Sequence, residues 1–423
     1  MKSEKSAAVF TNYELCIINY ELLCIFALEM NQATLDYIRE HTEADVRQLA
    51  LQGTKNPEVD LTFALDQIAG RQKARTKLPS WAAIYDITYP PHLSMEQCSS
   101  EQTARYKALI AGKGALIVDL TAGFGVDMAF ISQGFQHAVH VEQQATLCAI
   151  SSENYKLLGL NHIEVVCADG IDYLHQLNHA DLIFLDPARR DDHGARTYGI
   201  ADCTPNVLEL REELLEKADR VMLKLSPMLD WQKAVEDLGH VNEVHIVSVD
   251  NECKELLLIL SKEEKPLKLL CVNNNQVFEA SDGVTEGRFF CDISGGVTKE
   301  SLCYTYLFEP NASIMKAGCF ALLEQRFKVS QLDKNSHLFV SDTDICDFPG
   351  RRFIIEKTTS MNKRDLKATL AGIDKANITV RNFPMSVAEL RKRLKLKDGG
   401  DLYLFATTIA GHQHQLFFCR KIE

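Results

Sequence analysis

Between residues 115 and 225, short apolar runs alternate with segments of helical periodicity, and this alternation constrains the fold more than any other feature. Apolar runs of about five residues are typical of buried strands, whereas the intervening segments carry apolar residues at helix spacing. Strands that alternate with helices predict a parallel sheet with right-handed crossover connections. The predicted strands are Ala115–Leu120, Ala138–Glu142, Ile163–Ala168, Asp181–Asp186 and Val221–Leu225, with helices at Asp127–Gln133, Ala145–Leu158 and Pro205–Lys217.

Two further strand-like runs, Val244–Val249 and Glu255–Leu260, follow this region and are separated only by residues 250–254. A connection of that length fits a hairpin and is too short for a crossover helix. The sequence therefore predicts an α/β fold in which a Rossmann-like sheet of seven strands is closed by an antiparallel hairpin.

The flanking sequence predicts further domains, because 423 residues are too many for one ordinary core. Residues 30–112 show helical periodicity and form a predicted helical N-terminal region. Residues 113–262 hold the sheet, and a charged linker follows them. Two α+β domains are then predicted, at residues 267–350 and 351–423.

Residues 1–29 do not fit this scheme. The segment Asn12–Ile18 is followed at once by the similar segment Asn19–Ile25, and Glu14 and Glu21 interrupt the apolar stretch. The stretch is too short and too acidic for a membrane span, and it lacks a signal-peptide cleavage pattern. We expect a wrongly assigned start or a disordered extension, with Met30 as the true first residue.

Composition narrows the class of protein. The 13 cysteines are scattered without any C-x-x-C pair, so reduced cytoplasmic thiols are expected and no metal site is predicted. No other stretch approaches transmembrane length, which predicts a soluble protein without a membrane partner. The net charge of −12 argues against a protein that coats nucleic acid uniformly, although a local basic face remains compatible with it.

A glycine-containing turn lies where the first predicted strand meets its helix, between Val118 and Asp127. Gly123 and Gly125 allow the backbone to turn sharply and to approach a ligand closely. A tight turn without a ligand would use the same residues. Matching acidic residues at the later strand ends favour a ligand site, since ligands bind outside the carboxyl ends of parallel strands.

Four carboxylates occupy these strand ends: Asp119, Glu142, Asp169 and Asp186. Together with the turn, they resemble the class I S-adenosylmethionine-dependent methyltransferase family over about residues 115–260. The resemblance implies that the two glycines pass beneath the methionine and ribose, and that Asp119 helps to hold the methionine amino end. It implies that Glu142 binds the ribose and Asp169 the adenine. The full set of predicted cofactor-binding residues is Asp119, Thr121, Gly123, Gly125, Glu142, Asp169 and Gly170.

The chain also resembles a narrower family, in which the methyltransferase domain precedes a small ferredoxin-like domain and a THUMP-like domain. The residues that carry this resemblance are Glu96–Glu101 with Thr103-Ala104, Tyr306–Asn311, Lys316–Gly318 and the terminal stretch 353–418. THUMP-related domains bind RNA, so the resemblance implies an RNA substrate, tRNA or rRNA.

The fourth strand end departs from the pattern of amino-group methyltransferases, which is Asp/Asn-Pro-Pro-Tyr/Phe. This chain has Asp186-Pro187-Ala188-Arg189. Asp186 and the Pro187 carbonyl can still accept hydrogen bonds from a target amine. The stacking ring is absent, although the Arg189 plane could stack in its place. We therefore assign Asp186, Pro187 and Arg189 to the catalytic site and expect methylation of a base.

The C-terminal region is basic within an acidic chain. Between Arg351 and Lys397 there are 13 basic and four acidic residues, a net charge of +9. A basic module of this kind suits a phosphate backbone, and Arg391, Lys392 and Arg393 are the predicted RNA-binding cluster. A solvated helix face would explain this cluster alone but not the whole basic region.

Two rival functions remain open at this point. A nicotinamide-dependent oxidoreductase needs G-x-G-x-x-G, but Met128 occupies the position of the third glycine. A non-catalytic RNA-binding protein with a degenerate methyltransferase fold is the other rival, and the intact acidic set argues against it. The oligomeric state, the modified nucleotide and the modified atom are not predicted.

Overall fold

The computed structural model describes residues 31–189, 199–281, 284–285, 288–289 and 304–422. These residues fall into two compact units. The first ends at Asn242 and takes in Leu257–Lys265, and the second comprises Glu243–Leu256 and the chain from Pro266 onwards. The predicted extension at residues 1–29 lies outside the described residues and stays a prediction.

The N-terminal region is helical, as the periodicity predicts. Four of the six helices described there begin at polar caps, because an N-terminal turn leaves backbone N–H groups that a side chain can satisfy. Ser100, for example, accepts from the backbone N–H of Thr103. The helices are α1 Gln32–Glu40, α2 Val46–Gln52, α3 Leu61–Lys77, α4 Pro79–Ala82, α5 His92–Gln97 and α6 Glu101–Ala111.

A nine-stranded sheet follows, in the order β3-β2-β1-β4-β7-β9-β8-β10-β11. Seven of its strands form the predicted methyltransferase sheet, including the predicted hairpin of β8 and β9. The short strands β5 and β6 pair separately as an antiparallel ribbon. The strands are β1 Gly114–Asp119, β2 Phe135–Glu142, β3 Ile163–Cys167, β4 Ala180–Leu185, β5 Ala188–Arg189, β6 Cys203–Thr204, β7 Ala218–Leu225, β8 Val241–Val249, β9 Glu252–Leu260, β10 Lys268–Asn273 and β11 Gln276–Glu279.

The central strands are largely apolar because helices cover parallel strands on both faces. Ile117, Val118 and Ile183 are fully buried. The order of the sheet reverses at β1, which pairs in parallel with both β2 and β4. Such a reversal opens a crevice at the carboxyl ends of the strands. The helices of this region are α7 Val126–Ile131, α8 Ala145–Leu157, α9 Gly170–Gln176, α10 Val207–Lys217 and α11 Trp231–Leu238.

The last region contains a seven-stranded sheet in the order β15-β16-β14-β17-β20-β19-β18. Before it, β12 and β13 form a two-stranded ribbon. The strands are β12 Val284–Thr285, β13 Arg288–Phe289, β14 Tyr306–Pro310, β15 Ser330–Gln331, β16 Phe339–Ser341, β17 Gly350–Ser360, β18 Asn377–Arg381, β19 Leu402–Ile409 and β20 Gln413–Lys421. The helices are α12 Ala312–Ala317, α13 Phe320–Phe327, α14 Lys363–Thr369 and α15 Val387–Leu394.

Alternate residues of β19 and β20 enter different clusters on the two faces of this sheet. Phe405 and Phe417 belong to one cluster, whereas Leu404 and Leu416 belong to another that also contains residues of α14 and α15. This alternation follows from the two-residue side-chain period of a strand. Helices α14 and α15 therefore cover the same face.

The predicted domain limit at residue 267 stays a prediction. Strand β10 pairs in parallel with β8, and β11 pairs antiparallel with β10, so both strands continue the first sheet. Within the described parts of the chain, no helix is long and apolar enough to cross a membrane.

Candidate cofactor and acceptor site

The carboxyl ends of β1 and β4 are joined through Thr121. The Thr121 backbone N–H donates to Asp119 Oδ1 at 2.9 Å, and the Asp186 backbone N–H donates to Thr121 Oγ1 at 2.6 Å. The structure thus brings together three residues that were predicted for the site, and it fixes the backbone at Asp186 against the glycine-containing turn.

Glu142, at the end of β2, holds the same turn from the other side. The backbone N–H of Gly123 donates to its Oε2 at 3.0 Å, and that of Gln144 donates to its Oε1 at 2.7 Å. A carboxylate oxygen has two lone pairs, so each oxygen can accept a second hydrogen bond. Glu142 thus stabilises the turn and keeps acceptor capacity for a ligand hydroxyl.

Both glycines of the turn have positive φ angles, 56° at Gly123 and 81° at Gly125. A Cβ at Gly123 would meet nothing within 4 Å, whereas a Cβ at Gly125 would lie 2.0 Å from the hydroxyl of Tyr155. The turn therefore presents open space at Gly123 and packs tightly at Gly125.

A buried pair of side chains supports the turn from beneath. The Tyr155 hydroxyl donates to the Gly125 carbonyl at 3.1 Å and lies 2.8 Å from His140 Nδ1. Burial lowers the pKa of His140 to about 3, so the imidazole is neutral at physiological pH. This pair was not predicted, because a histidine within an apolar strand has no distinguishing pattern.

Asp169 and Gly170 follow β3. Asp169 is exposed, and its Oδ1 accepts from the backbone N–H groups of Ile171 at 2.8 Å and Asp172 at 3.2 Å, so it caps helix α9. A Cβ at Gly170 would lie 2.1 Å from the Leu120 carbonyl oxygen. Only glycine fits there, and the contact fixes the end of β3 next to the end of β1.

Asp119 is a buried carboxyl group at the end of β1, only 1% exposed. Burial raises its pKa well above the usual range, and the nearby Asp127 and Asp186 carboxylates raise it further, against the Thr121 N–H. The predicted role of Asp119 toward a methionine amino group stays a prediction.

A cluster of alternating charges lies beside Asp186. Lys224, at the end of β7, forms ion pairs with Asp186 and with Asp127, the latter at 3.6 Å. Asp127 in turn pairs with the wholly buried Lys107 at 3.1 Å. Burial opposes ionisation of Asp127, but the two ammonium groups outweigh it and lower its pKa.

Lys224 stands near the end of a predicted strand and could on that ground line the substrate cleft, but the sequence indicates no role for Lys107 or Asp127. Asp127 stands in the first turn of a helix, where an acidic residue is common. Lys107 lies within a helix, and a lysine in a helix is usually exposed to solvent. Neither residue has a sequence pattern that distinguishes it from a surface charge.

The rest of the predicted acceptor loop is partly described. Pro187 is buried. In the ribbon of β5 and β6, Ala188 pairs with Thr204 and Arg189 pairs with Cys203. The side chain of Arg189 lies outside the described residues, so its predicted stacking role stays a prediction. Across the described ranges, no group of three or more His, Cys, Asp or Glu residues could hold a metal ion.

The predicted RNA-binding residues lie at the end of α15 and differ in their contacts. Arg391 donates to the Ala376 carbonyl at 3.2 Å and to Asp398 at 2.6 Å, so it holds the local fold together. Lys392 and Arg393 are exposed.

Exposed basic residues also lie on the neighbouring helix α14. Because α14 and α15 cover the same face of their sheet, we group their exposed basic side chains under one name, the basic face. Its residues are Lys363, Arg364, Lys367, Lys392 and Arg393.

The parallel strand order with an antiparallel β9, together with a glycine-containing turn after β1, defines the class I S-adenosylmethionine-dependent methyltransferase fold. The C-terminal sequence matches two family models: a ferredoxin-like domain over residues 306–349 and a THUMP domain-like family over residues 350–421. No curated protein sequence matches the chain.

Solved structures extend this comparison to most of the chain. The crystal structure of a candidate methyltransferase from Porphyromonas gingivalis W83 is 30% identical, covers 92% of this chain and 98% of its own, and has a TM-score of 0.79. An rRNA methylase from Streptococcus thermophilus is 16% identical over 38% of this chain and 95% of its own, with a TM-score of 0.28. The chain belongs to the family of the Porphyromonas gingivalis protein, class I methyltransferases with C-terminal ferredoxin-like and THUMP-like domains.

Proposed function

We propose that the protein transfers a methyl group from S-adenosylmethionine to a base in tRNA or rRNA. The observation that carries this proposal is the convergence of the glycine turn, Glu142 and Asp186 at the carboxyl ends of adjacent strands. Hydrogen bonds through Gly123 and Thr121 join these groups into one site.

The residues present fit the cofactor. The space above Gly123 can admit a ligand against the backbone, and Glu142 keeps acceptor capacity for ribose hydroxyls. Asp169 is exposed at the next strand end and can accept from an adenine amino group. When bound, S-adenosylmethionine supplies a methyl group that its sulfonium has already activated. The protein therefore has mainly to align the methyl acceptor for in-line transfer.

Asp186 is the group we assign to that alignment. The hydroxyl of Thr121 fixes its backbone, and its side chain is 38% exposed. The carboxylate can therefore accept a hydrogen bond from the amine that receives the methyl group. The Pro187 carbonyl is the second acceptor in this assignment. A base within structured RNA would have to be flipped out to reach them, at a cost of a few kcal/mol.

The RNA part of the proposal rests on the C-terminal domain. Residues 350–421 match a THUMP-like family, and the basic face places five exposed cationic side chains on one surface of that domain. Cationic side chains bind the phosphate backbone and release its counterions, which makes binding salt-dependent but largely independent of sequence.

A ligand-binding experiment tests the cofactor assignment. S-adenosylhomocysteine at 100 times its Kd should stabilise the folded protein by about 2.7 kcal/mol and raise its melting temperature. NADH at the same concentration should leave the melting temperature unchanged. A rise with NADH and none with S-adenosylhomocysteine would favour the oxidoreductase alternative and overturn the proposal.

A further inference from the structure

Four charged side chains form a chain of alternating sign that runs from the interior to the acceptor site. Their order is Lys107, Asp127, Lys224 and Asp186. The exposed fractions of these side chains are 0%, 10%, 12% and 38% in that order. The outermost member is the carboxylate that the proposed function assigns to the methyl acceptor.

The inner pair is anchored by more than charge. Ser99 Oγ donates to Asp127 Oδ2 at 2.7 Å, and Lys107 Nζ donates to Ser99 Oγ at 3.1 Å. Lys107 lies on α6, Asp127 lies in the first turn of α7, and both side chains are almost wholly buried. A buried ion pair with additional hydrogen bonds has one favourable geometry, since any other arrangement leaves a desolvated charge without a partner.

Lys224 connects this fixed pair to Asp186. A lysine that paired only with a half-exposed carboxylate would gain little, because ordering two flexible side chains offsets the attraction. Here the Lys224 ammonium is already held near Asp127 at 3.6 Å, inside the protein. The Lys224 side chain is therefore ordered by its contact with buried Asp127, and Asp186 can pair with an ammonium group that is already fixed in position.

We propose that Lys224 is a positioning residue that holds the Asp186 carboxylate in place for methyl transfer, and that the Lys107–Asp127 pair fixes Lys224. The role of Asp186 in methyl transfer rests on the proposed function. The position of the Asp186 side chain can be measured independently of that function. This positioning also accounts for a charge cluster to which the proposed cofactor contacts assign no role.

The test compares Lys224→Met and Lys224→Arg with the matched control Lys233→Met. Lys233 is an exposed lysine of α11 that pairs with Asp237 of the same helix. Each variant is made in the full chain. Methyl transfer is measured with tritiated S-adenosylmethionine and RNA extracted from cells that lack the gene, and crystal structures of the parent and Lys224→Met are compared.

Lys224→Met should lower kcat by about 100-fold, the cost of a misplaced reacting geometry. Its KM for RNA and its affinity for S-adenosylhomocysteine should change less than twofold. Lys224→Arg should recover part of the loss, and Lys233→Met should match the parent. In the crystal, Asp186 of Lys224→Met should leave its present rotamer.

An unchanged kcat in Lys224→Met would overturn the inference, as would an unmoved Asp186 side chain. A general loss of folding would appear as weaker S-adenosylhomocysteine binding. In that case the crystal structure of Lys224→Arg decides, because Asp186 must follow the displaced cation. If the parent transfers no methyl group to RNA, the proposed function fails, and the position of Asp186 in the crystals still tests the positioning.

Discussion

Asp169 has an observed role in the fold and a proposed role toward the cofactor. Its carboxylate caps α9 through Ile171 and Asp172, and it lies exposed at the strand end where adenine is expected. Asp45 caps α2 in the same way, accepting from Arg47 at 2.8 Å and Gln48 at 3.2 Å. The two residues can therefore separate a capping effect from a binding effect.

We predict that Asp169→Ala and Asp45→Ala each lower the free energy of unfolding by about 1 kcal/mol, the usual value of an N-cap. Only Asp169→Ala should weaken S-adenosylhomocysteine binding, by about 1–3 kcal/mol, because it removes a hydrogen-bonding partner. Denaturant unfolding and calorimetry measure the two effects. Equal cofactor affinity in both variants would exclude Asp169 from the adenine site.

At the scale of elements, the turn after β1 distinguishes its two glycines. An alanine at either position must adopt a positive φ, which costs about 1 kcal/mol or more. Only at Gly125 would the new methyl group also collide with Tyr155. At Gly123 the methyl group would enter the open space assigned to the cofactor.

We therefore expect Gly125→Ala to affect mainly stability and Gly123→Ala to affect mainly ligand binding. Gly125→Ala should lower the melting temperature clearly. Gly123→Ala should lower the melting temperature only slightly but should weaken S-adenosylhomocysteine binding more than Gly125→Ala does. Melting curves with and without S-adenosylhomocysteine measure both quantities. If Gly123→Ala bound the ligand as tightly as the parent, the turn would not carry the cofactor.

The strands of the first sheet were predictable because short apolar runs between helical segments are typical of buried parallel strands. Strand β4 was expected at Asp181–Asp186 and observed at Ala180–Leu185, and α8 was predicted within one residue. Helix α9 was missed because its seven residues carry no clear periodicity, and its start depends on the Asp169 cap. Helix α11 was also missed.

Candidate site residues could be predicted only where an acidic residue follows a predicted strand. Asp119, Glu142 and Asp186 were predicted in that way; hydrogen bonds connect each of them to the turn, and their roles toward a ligand stay predictions. The Lys107–Asp127 pair could not be found, since its meaning depends on which helices meet. Burial, which turns a surface charge into a fixed one, is a tertiary property.

At the scale of the whole molecule, charge is unevenly distributed along the chain. The net charge is −12, yet the stretch from residue 351 to residue 397 carries +9. Four arginines of this stretch are engaged in ion pairs within the C-terminal unit: Arg351 and Arg381 with Glu309, Arg352 with Asp344, and Arg391 with Asp398. The other nine basic residues of this stretch are exposed, and we propose that the five of the basic face bind RNA.

Replacing Lys363, Lys392 and Arg393 with alanine should weaken RNA binding. The slope of log K against log salt concentration should become shallower by about two to three, because fewer counterions are released on binding. Arg391 is left in place because its contacts support the fold. The matched control replaces three exposed lysines of the other unit with alanine: Lys156, Lys233 and Lys265. Titrations at several salt concentrations measure both slopes, and equal slopes would show that the basic face is not the RNA-binding surface.

We propose that this protein methylates a base in RNA through the site around Asp186. Mass spectrometry of nucleosides from tRNA and rRNA of cells with and without the gene tests this proposal. One methylated nucleoside should disappear without the gene, return with the parent protein and stay absent with Asp186→Ala. Identical nucleoside profiles with and without the gene would contradict the claim, and full restoration by Asp186→Ala would remove Asp186 from the reaction centre.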